Sequence, residues 1–286
     1  MPLITTNWVT AVSTTVLCCL GMNDLKKSRR NAPEKGAAAK SDVGASKGEA
    51  WLTESLRFTA FSVDTKELRL ASFEQLENGS AEQIIERPNQ NIRQETGKLG
   101  AHRFIIQCRA GRADFSLSMK SVSPPPQVNN IGPFQEAMTL LIATIELWFR
   151  KAPPLKRLAI APTLVMPFNS RLDAQKRAKK FLPKLDFDPE LDRDFLWQIN
   201  RPRNSKSISG LIINRVNRWQ IFDLQSFSVS EQGLTLGELS SALLQLDLDI
   251  NTSAENKNQI ESSSLSNLVG ELSSIASEIM KKGDVR

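Results

Sequence analysis

From Leu56 to Ala60 the chain alternates apolar and polar residues, with Leu56, Phe58 and Ala60 against Arg57 and Thr59. That period of two predicts a half-buried β-strand. Leu68 and Leu70 resume it after Asp64-Thr65, which predicts a hairpin. Residues 74–100 are polar and carry Asn78-Gly79 and Pro88-Asn89, so they read mostly as loop. A clearer hairpin follows, in which residues 103–108 turn through Ala110-Gly111 into residues 112–119. In its second arm Ala113, Phe115, Leu117 and Met119 share one face, with Arg112, Asp114, Ser116 and Ser118 on the other. The proline run within residues 123–127 interrupts any regular element.

A helical period then takes over. Phe134, Met138, Leu141, Ile145 and Trp148 recur at intervals of four, three, four and three, which predicts a long amphipathic helix over residues 133–150. In residues 156–168, Leu158, Ile160, Leu164, Met166 and Phe168 share a strand face with Pro162 in phase. A proline there predicts an edge strand or a bulge. Residues 169–183 read as a short helix, with Ser170 and Asp173 as its capping box. Phe195, Trp197 and Ile199 mark another strand. Residues 210–224 form a longer one, but Arg215 and Asn217 fall on the face of Ile213 and Trp219. That mixture predicts a bulge near residues 214–216 or cover on both faces.

Thr235, with Glu238 three residues on and Leu234 placed against Leu239, predicts a helix start. Residues 251–259 are polar and read as a linker. Leu265, Leu268, Leu272, Ile275 and Ile279 then recur at three, four, three and four, a coiled-coil-like seam that ends at Lys281, Lys282 and Gly283. Hairpins with helices between and after them predict an α+β fold: an antiparallel sheet covered by helix 133–150 and shorter helices, with a C-terminal coiled-coil-like helix. The division expected is a basic tail at 1–50, a globular domain at 51–250, and a linker with a docking helix at 251–286.

The start of the chain changes little. Residues from Leu3 to Leu20 are apolar but diluted by threonine and serine, and no positive charge precedes them. They meet neither the length rule for a spanning helix nor the charge rule for a signal peptide. Met22 then reads as the translation start and residues 1–21 as an upstream extension. Residues 23–50 have too few large apolar side chains to order themselves and read as a flexible basic tail. Cys18, Cys19 and Cys108 make no disulfide framework, which points to a reducing, cytoplasmic setting.

Charge is distributed unevenly. Residues 151–220 carry 15 Lys and Arg against 6 Asp and Glu, while residues 221–286 carry 4 against 10. The basic block either attracts an anion or is neutralised by the acidic end. Its densest part is residues 199–220, where Arg201, Arg203, Lys206, Arg215 and Arg218 gather on what reads as one β-ribbon; Lys176, Arg177 and Lys180 stand on the helix before it. Two-stranded ribbons fit a major groove, and arginine with asparagine suits phosphates and base edges. The alternative is that the arginines guard a sheet edge.

Catalytic chemistry has less to stand on. His102 and Cys108 lie about 20 Å apart if they share a strand, too far for a nucleophile–base pair. Asp186, Asp188, Glu190, Asp192 and Asp194 invite a metal, but Leu191 and Trp197 stand where an EF-hand needs glycine and glutamate. No phosphate-loop, dinucleotide, zinc-protease or serine-hydrolase motif occurs, and no cofactor is implied. The first reading is therefore a non-catalytic intracellular adaptor, regulator or subunit. It would bind a protein partner or a second copy through a basic face and the C-terminal helix, and no membrane partner is expected. The alternative is DNA or RNA binding by the 199–220 ribbon. A metal-dependent enzyme using residues 186–194 is third, with Asp186, Asp188 and Glu190 as its candidate ligands.

Overall fold

A computed structural model describes residues 50–284, apart from 65–67, 69–70, 121–127 and 231–232; the side chains of 225–230 and 233–240 also lie outside the description. The expectations for residues 1–49, including the upstream extension and the basic tail, and for the break at 123–127 fall outside the described residues.

The first half of the chain supplies β1 (Leu52–Phe61), β2 (Gln83–Arg87), β3 (Ile92–Leu99), β4 (His102–Arg109), β5 (Arg112–Met119) and α1 (Phe134–Phe149). The second supplies β6 (Arg157–Phe168), α2 (Arg171–Phe181), β7 (Leu196–Asn200), β8 (Arg203–Asn204), β9 (Ile212–Ser230), β10 (Gly233–Thr252) and α3 (Ser262–Lys282). The strands form one sheet in the order β2-β3-β4-β5-β1-β6-β10-β9-β7, with β8 beside β9. All its pairings are antiparallel.

The same plan is used twice. In each half the first strand lies at the sheet centre, the last strand pairs beside it, earlier strands step outward, and a helix follows. The halves meet where β1 pairs with β6, with Phe58 opposite Ile160.

The core lies on one face. Leu56 and Phe58 of β1, Phe115 and Leu117 of β5, Ile160 and Leu164 of β6, and Leu244 and Leu246 of β10 are all fully buried there. Helix α1 brings Trp148 to 5.0 Å from Phe115 and Phe149 to 5.5 Å from Phe58, ring centre to ring centre. Helix α2 brings Phe181 to 5.2 Å from Trp219 of β9. Helix α3 packs against β6, β10 and α1. Residues 71–76 complete the cover over β3 and β4: Phe73 packs edge-on against Phe104 with ring centres 5.5 Å apart, and its N–H donates to Glu95 at 2.7 Å.

Several sequence expectations are corrected. Residues 74–100 are not mostly loop, because β2 and β3 form within them. Leu68 does not continue a hairpin from β1; it lies in a helical turn, and β1 pairs with β5 and β6 instead. Pro162 sits in a central strand, not at an edge, and the expected irregularity lies close by: it stands opposite Leu56, and the β1–β6 register shifts just beyond, between Ser55 and Thr53. The ladder from β6 to β10 is interrupted between Thr163 opposite Asp247 and Ile160 opposite Ile250, so the missing N–H falls where no partner is needed. Strand β9 keeps an unbroken register from Ile213 to Leu224, so no bulge sits at 214–216; Arg215 and Asn217 are truly buried among apolar neighbours. Residues from Thr235 onward are strand, not helix: the ladder with β9 overrides the local capping pattern. That strand runs on through Asn251 and Thr252, where a linker was expected.

Candidate functional site

The basic ribbon holds the chain's own C-terminal helix. Arg201 makes a two-pronged ion pair with Asp284 just beyond α3. Arg203 places Nη2 3.7 Å from Glu271 Oε1 and Nη1 3.7 Å from Glu278 Oε2, both on α3. Arg215 is 5% exposed, and its Nε donates to the Arg201 carbonyl at 2.6 Å. Burial, and then the neighbouring Arg203, pulls the Arg215 pKa down. Glu271 accepts from the Ser205 hydroxyl at 2.7 Å, the Lys206 N–H at 2.8 Å and the Ser207 N–H at 3.0 Å. Burial would raise the Glu271 pKa, but these donors outweigh it and hold the carboxyl below the usual glutamate range.

The seam residues Leu265, Leu268, Leu272, Ile275 and Ile279 are at most 2% exposed. They are filled by the chain's own sheet, so no partner reaches them while α3 is docked. Lys206 is exposed and contributes its backbone to the Glu271 cap. On α2, Lys176 and Lys180 are exposed, whereas the Arg177 guanidinium lies 4.9 Å from the centre of the Phe181 ring.

Two carboxylates of the acidic loop hold the loop itself, and a third, Asp194, lies 3.9 Å from Arg171 of α2. Asp192 accepts from the Asp188 N–H, and Asp188 accepts from the Glu190 N–H, each at 2.8 Å. Asp186 is exposed. Among the described residues no three His, Cys, Asp or Glu side chains converge as a metal site. Cys108 is buried, with Sγ 3.3 Å from the Leu68 carbonyl oxygen, and His102 opens the same strand.

The other face of the sheet is left uncovered by α1, α2 and α3. Arg57, Thr59, Arg103, Gln107, Arg109, Arg112, Asp114, Ser116 and Ser118 alternate with the core residues of β1, β4 and β5, so they occupy that face. Two like-charged pairs stand directly opposite one another in the register: Lys98 with Arg103, and Arg109 with Arg112. Asp114 answers the second pair. It accepts from Arg112 at 2.7 Å, Arg109 at 3.3 Å and the Thr59 hydroxyl at 2.6 Å, and Arg57 lies 4.0 Å away. Arg112 and Arg157 lie 5.4 and 5.0 Å from the centre of the Phe61 ring, which steadies both guanidiniums.

The second half of this face is amide-rich. Asn200 donates to Asn214, and Asn214 to Asn251, each at 3.0 Å; Arg157 donates to the same Asn251 oxygen at 3.2 Å. Gln220 and Gln245 both donate to Asp247. Burial, then the charge of Asp247, raises the Glu54 pKa. Arg218 belongs here too, bonded to Gln220 at 3.1 Å.

The chain matches no protein-family model and no curated protein. Among the described residues no helix is long and apolar enough to cross a membrane.

Sequence reasoning missed the open face because it weighed charge by density along the chain. The cations of this face are spread over residues 57–120, where the total charge is near balance. Only the register brings them together. One signal was legible, namely Arg112, Asp114, Ser116 and Ser118 on a single strand face.

Proposed function

We propose that this protein is a non-catalytic interaction module that presents the uncovered face of its sheet to a macromolecular partner. One observation carries the reading: α1, α2, α3 and residues 71–76 all pack on the same face of a ten-stranded sheet. The other face is left as a broad platform of mainly guanidinium, hydroxyl and amide groups, with Ile105, Leu196 and Phe222 among them. Such groups hold and orient a partner. The described part of the platform offers no paired nucleophile and base with which to transform one.

The ribbon and C-terminal helix then have an internal role. Their charges lock α3 over the core, which supports the sheet from its other side. Nucleic-acid recognition by the ribbon would require Arg201, Arg203 and Arg215 to leave carboxylate and carbonyl partners inside the fold.

The test is the size of the assembly that contains this chain in native extract, measured by size-exclusion chromatography. Ala161→Trp adds bulk to the middle of the platform, while Glu136→Trp adds it to the outside of α1. The wild type and Glu136→Trp are expected in a complex and Ala161→Trp in its free form. A wild type that elutes free, or a complex lost only with Glu136→Trp, would refute the reading.

A further inference from the structure

We infer that the basic half of the open face binds the phosphate backbone of a nucleic-acid duplex without reading its sequence. The inference rests on the docking role of that face and supplies the chemistry of its occupant.

Three observations carry it. First, the patch stores like-charge repulsion. Lys98 and Arg103 stand opposite one another on β3 and β4, an arrangement that disfavours the sheet by itself. Lys120 lies close enough to Lys98 for the two ammonium groups to interact directly. Glu82, 2.9 Å from Lys98 and about half exposed, is the acid nearest them. An arriving anion relieves this repulsion. Second, the cations stand on a rigid sheet. Arg57, Arg109 and Lys98 have side chains 47, 44 and 53% exposed, and Arg112 is braced between Asp114 and Phe61. Ser55, Ser116 and Ser118 lie between them on the same face and offer hydroxyls, which with Arg and Lys are the usual contacts to phosphate and sugar.

Third, this half of the platform is poor in the anchors that other occupants use: Ile85 and Ile105 are the aliphatic side chains that the register of β2 to β5 places on it, and both are only partly exposed. A protein interface is built around buried aromatic and aliphatic hot spots. Single strands are held by exposed aromatic rings on which bases stack. Here Phe61 is the aromatic residue on the face, and it is sandwiched between Arg112 and Arg157. Charge and hydrogen bonding dominate the patch, which suits a duplex gripped by its backbone.

The six cations Lys98, Lys120, Arg57, Arg103, Arg109 and Arg112 face two acids, Glu82 and Asp114. A net of about four phosphate contacts follows, with a slope of log K against log salt of about −3.5. Affinity should then fall about a hundredfold between 50 and 200 mM salt.

The experiment is fluorescence anisotropy with the full chain and a labelled random-sequence DNA duplex of about 20 base pairs, a length that exceeds the patch. Salt is varied, and the single strand serves as competitor. Lys98→Ala with Arg103→Ala should flatten the slope by about two. Lys151→Ala with Lys281→Ala, which removes the same charge from the helix side, should leave it unchanged. Equal melting temperatures across these variants confirm that folding is intact. The inference is overturned if no duplex binds at about 50 mM salt, if both double variants change the slope alike, or if the single strand binds more tightly than the duplex. Should the duplex fail while a nuclease-resistant complex is still lost with Ala161→Trp, the occupant is wrong and the docking role of the face survives.

Discussion

Removing the Glu271 carboxylate should loosen the C-terminal helix more than its position near the surface implies. Its side chain is 6% exposed and answers the Ser205 hydroxyl, the N–H groups of Lys206 and Ser207, and Arg203. Hydrogen bonds to a charged group contribute about 1.5–3 kcal/mol each. Residues 205–207 lie at the rim, however, and their donors regain water when the carboxylate is gone. Glu271→Ala should therefore cost about 3 kcal/mol, at the low end for breaking a buried charged network. In a folded unit of this size that lowers Tm by about 6–12 °C. Glu271→Gln keeps the shape and one acceptor and should cost about half as much.

The pH dependence follows from the lowered pKa of this carboxyl. A depressed folded pKa means that the stabilisation is complete above the ordinary glutamate value and is lost as pH falls through the folded value. The gap between wild type and Glu271→Gln should stay constant from neutral pH down to about 5 and narrow below that. Urea unfolding followed by tryptophan fluorescence measures both. A Tm change of only a degree or two for Glu271→Ala, or a gap that widens in acid, would refute the clamp.

Two further substitutions probe packing. Gly283 has φ +78°, and a Cβ there would lie 2.0 Å from the Phe181 carbonyl oxygen, so Gly283→Ala should cost more than about 2 kcal/mol, read as a lower urea midpoint. Glu95 is 3% exposed, accepts from the Phe73 N–H and pairs with Arg93, so Glu95→Ala should cost about 3 kcal/mol and speed hydrogen exchange in residues 71–76 before the rest of the core.

Elements with a local signature were legible in the sequence. Helix α1 begins where Pro133 placed it, and Ser170 caps α2 through the Asp173 N–H at 3.1 Å, as the capping box implied. Strands β4 and β5 follow their alternation directly. Elements decided by partners were not legible. Strand β3 carries Glu95 and Gly97 on its core face, the one bound to Phe73 and the other leaving room for its ring, so its apolar pattern is broken for packing reasons. Thr235 and Glu238 mimic a helix start, yet Leu244, Leu246, Leu248 and Ile250 alternate farther along, and the pairing with β9 decides the matter. The ribbon arginines were visible as a cluster. Their carboxylate partners, Glu271, Glu278 and Asp284, lie some 70 residues away in sequence, beyond any local pattern.

The open face of β6 supplies the last argument. On the side away from the core this strand carries Ala159, Ala161, Thr163 and Val165, in the middle of the sheet; neighbouring side chains cover Ala159 and Val165, while Ala161 and Thr163 are partly exposed. Alanine is a poor strand former, and a central strand facing water gains from larger β-branched side chains. The small residue at 161, which is partly exposed, therefore forgoes stability, as expected where a partner approaches the backbone closely. Ala161→Thr separates the two effects. It should stabilise the isolated protein by up to about 0.5 kcal/mol, read as a slightly higher Tm, because propensity differences at exposed strand sites are of that size. It should also weaken the native-extract complex, because the added atoms stand in the contact. If the variant gains stability and keeps the complex intact, the small residue leaves no room for a partner and the case for close approach on β6 fails.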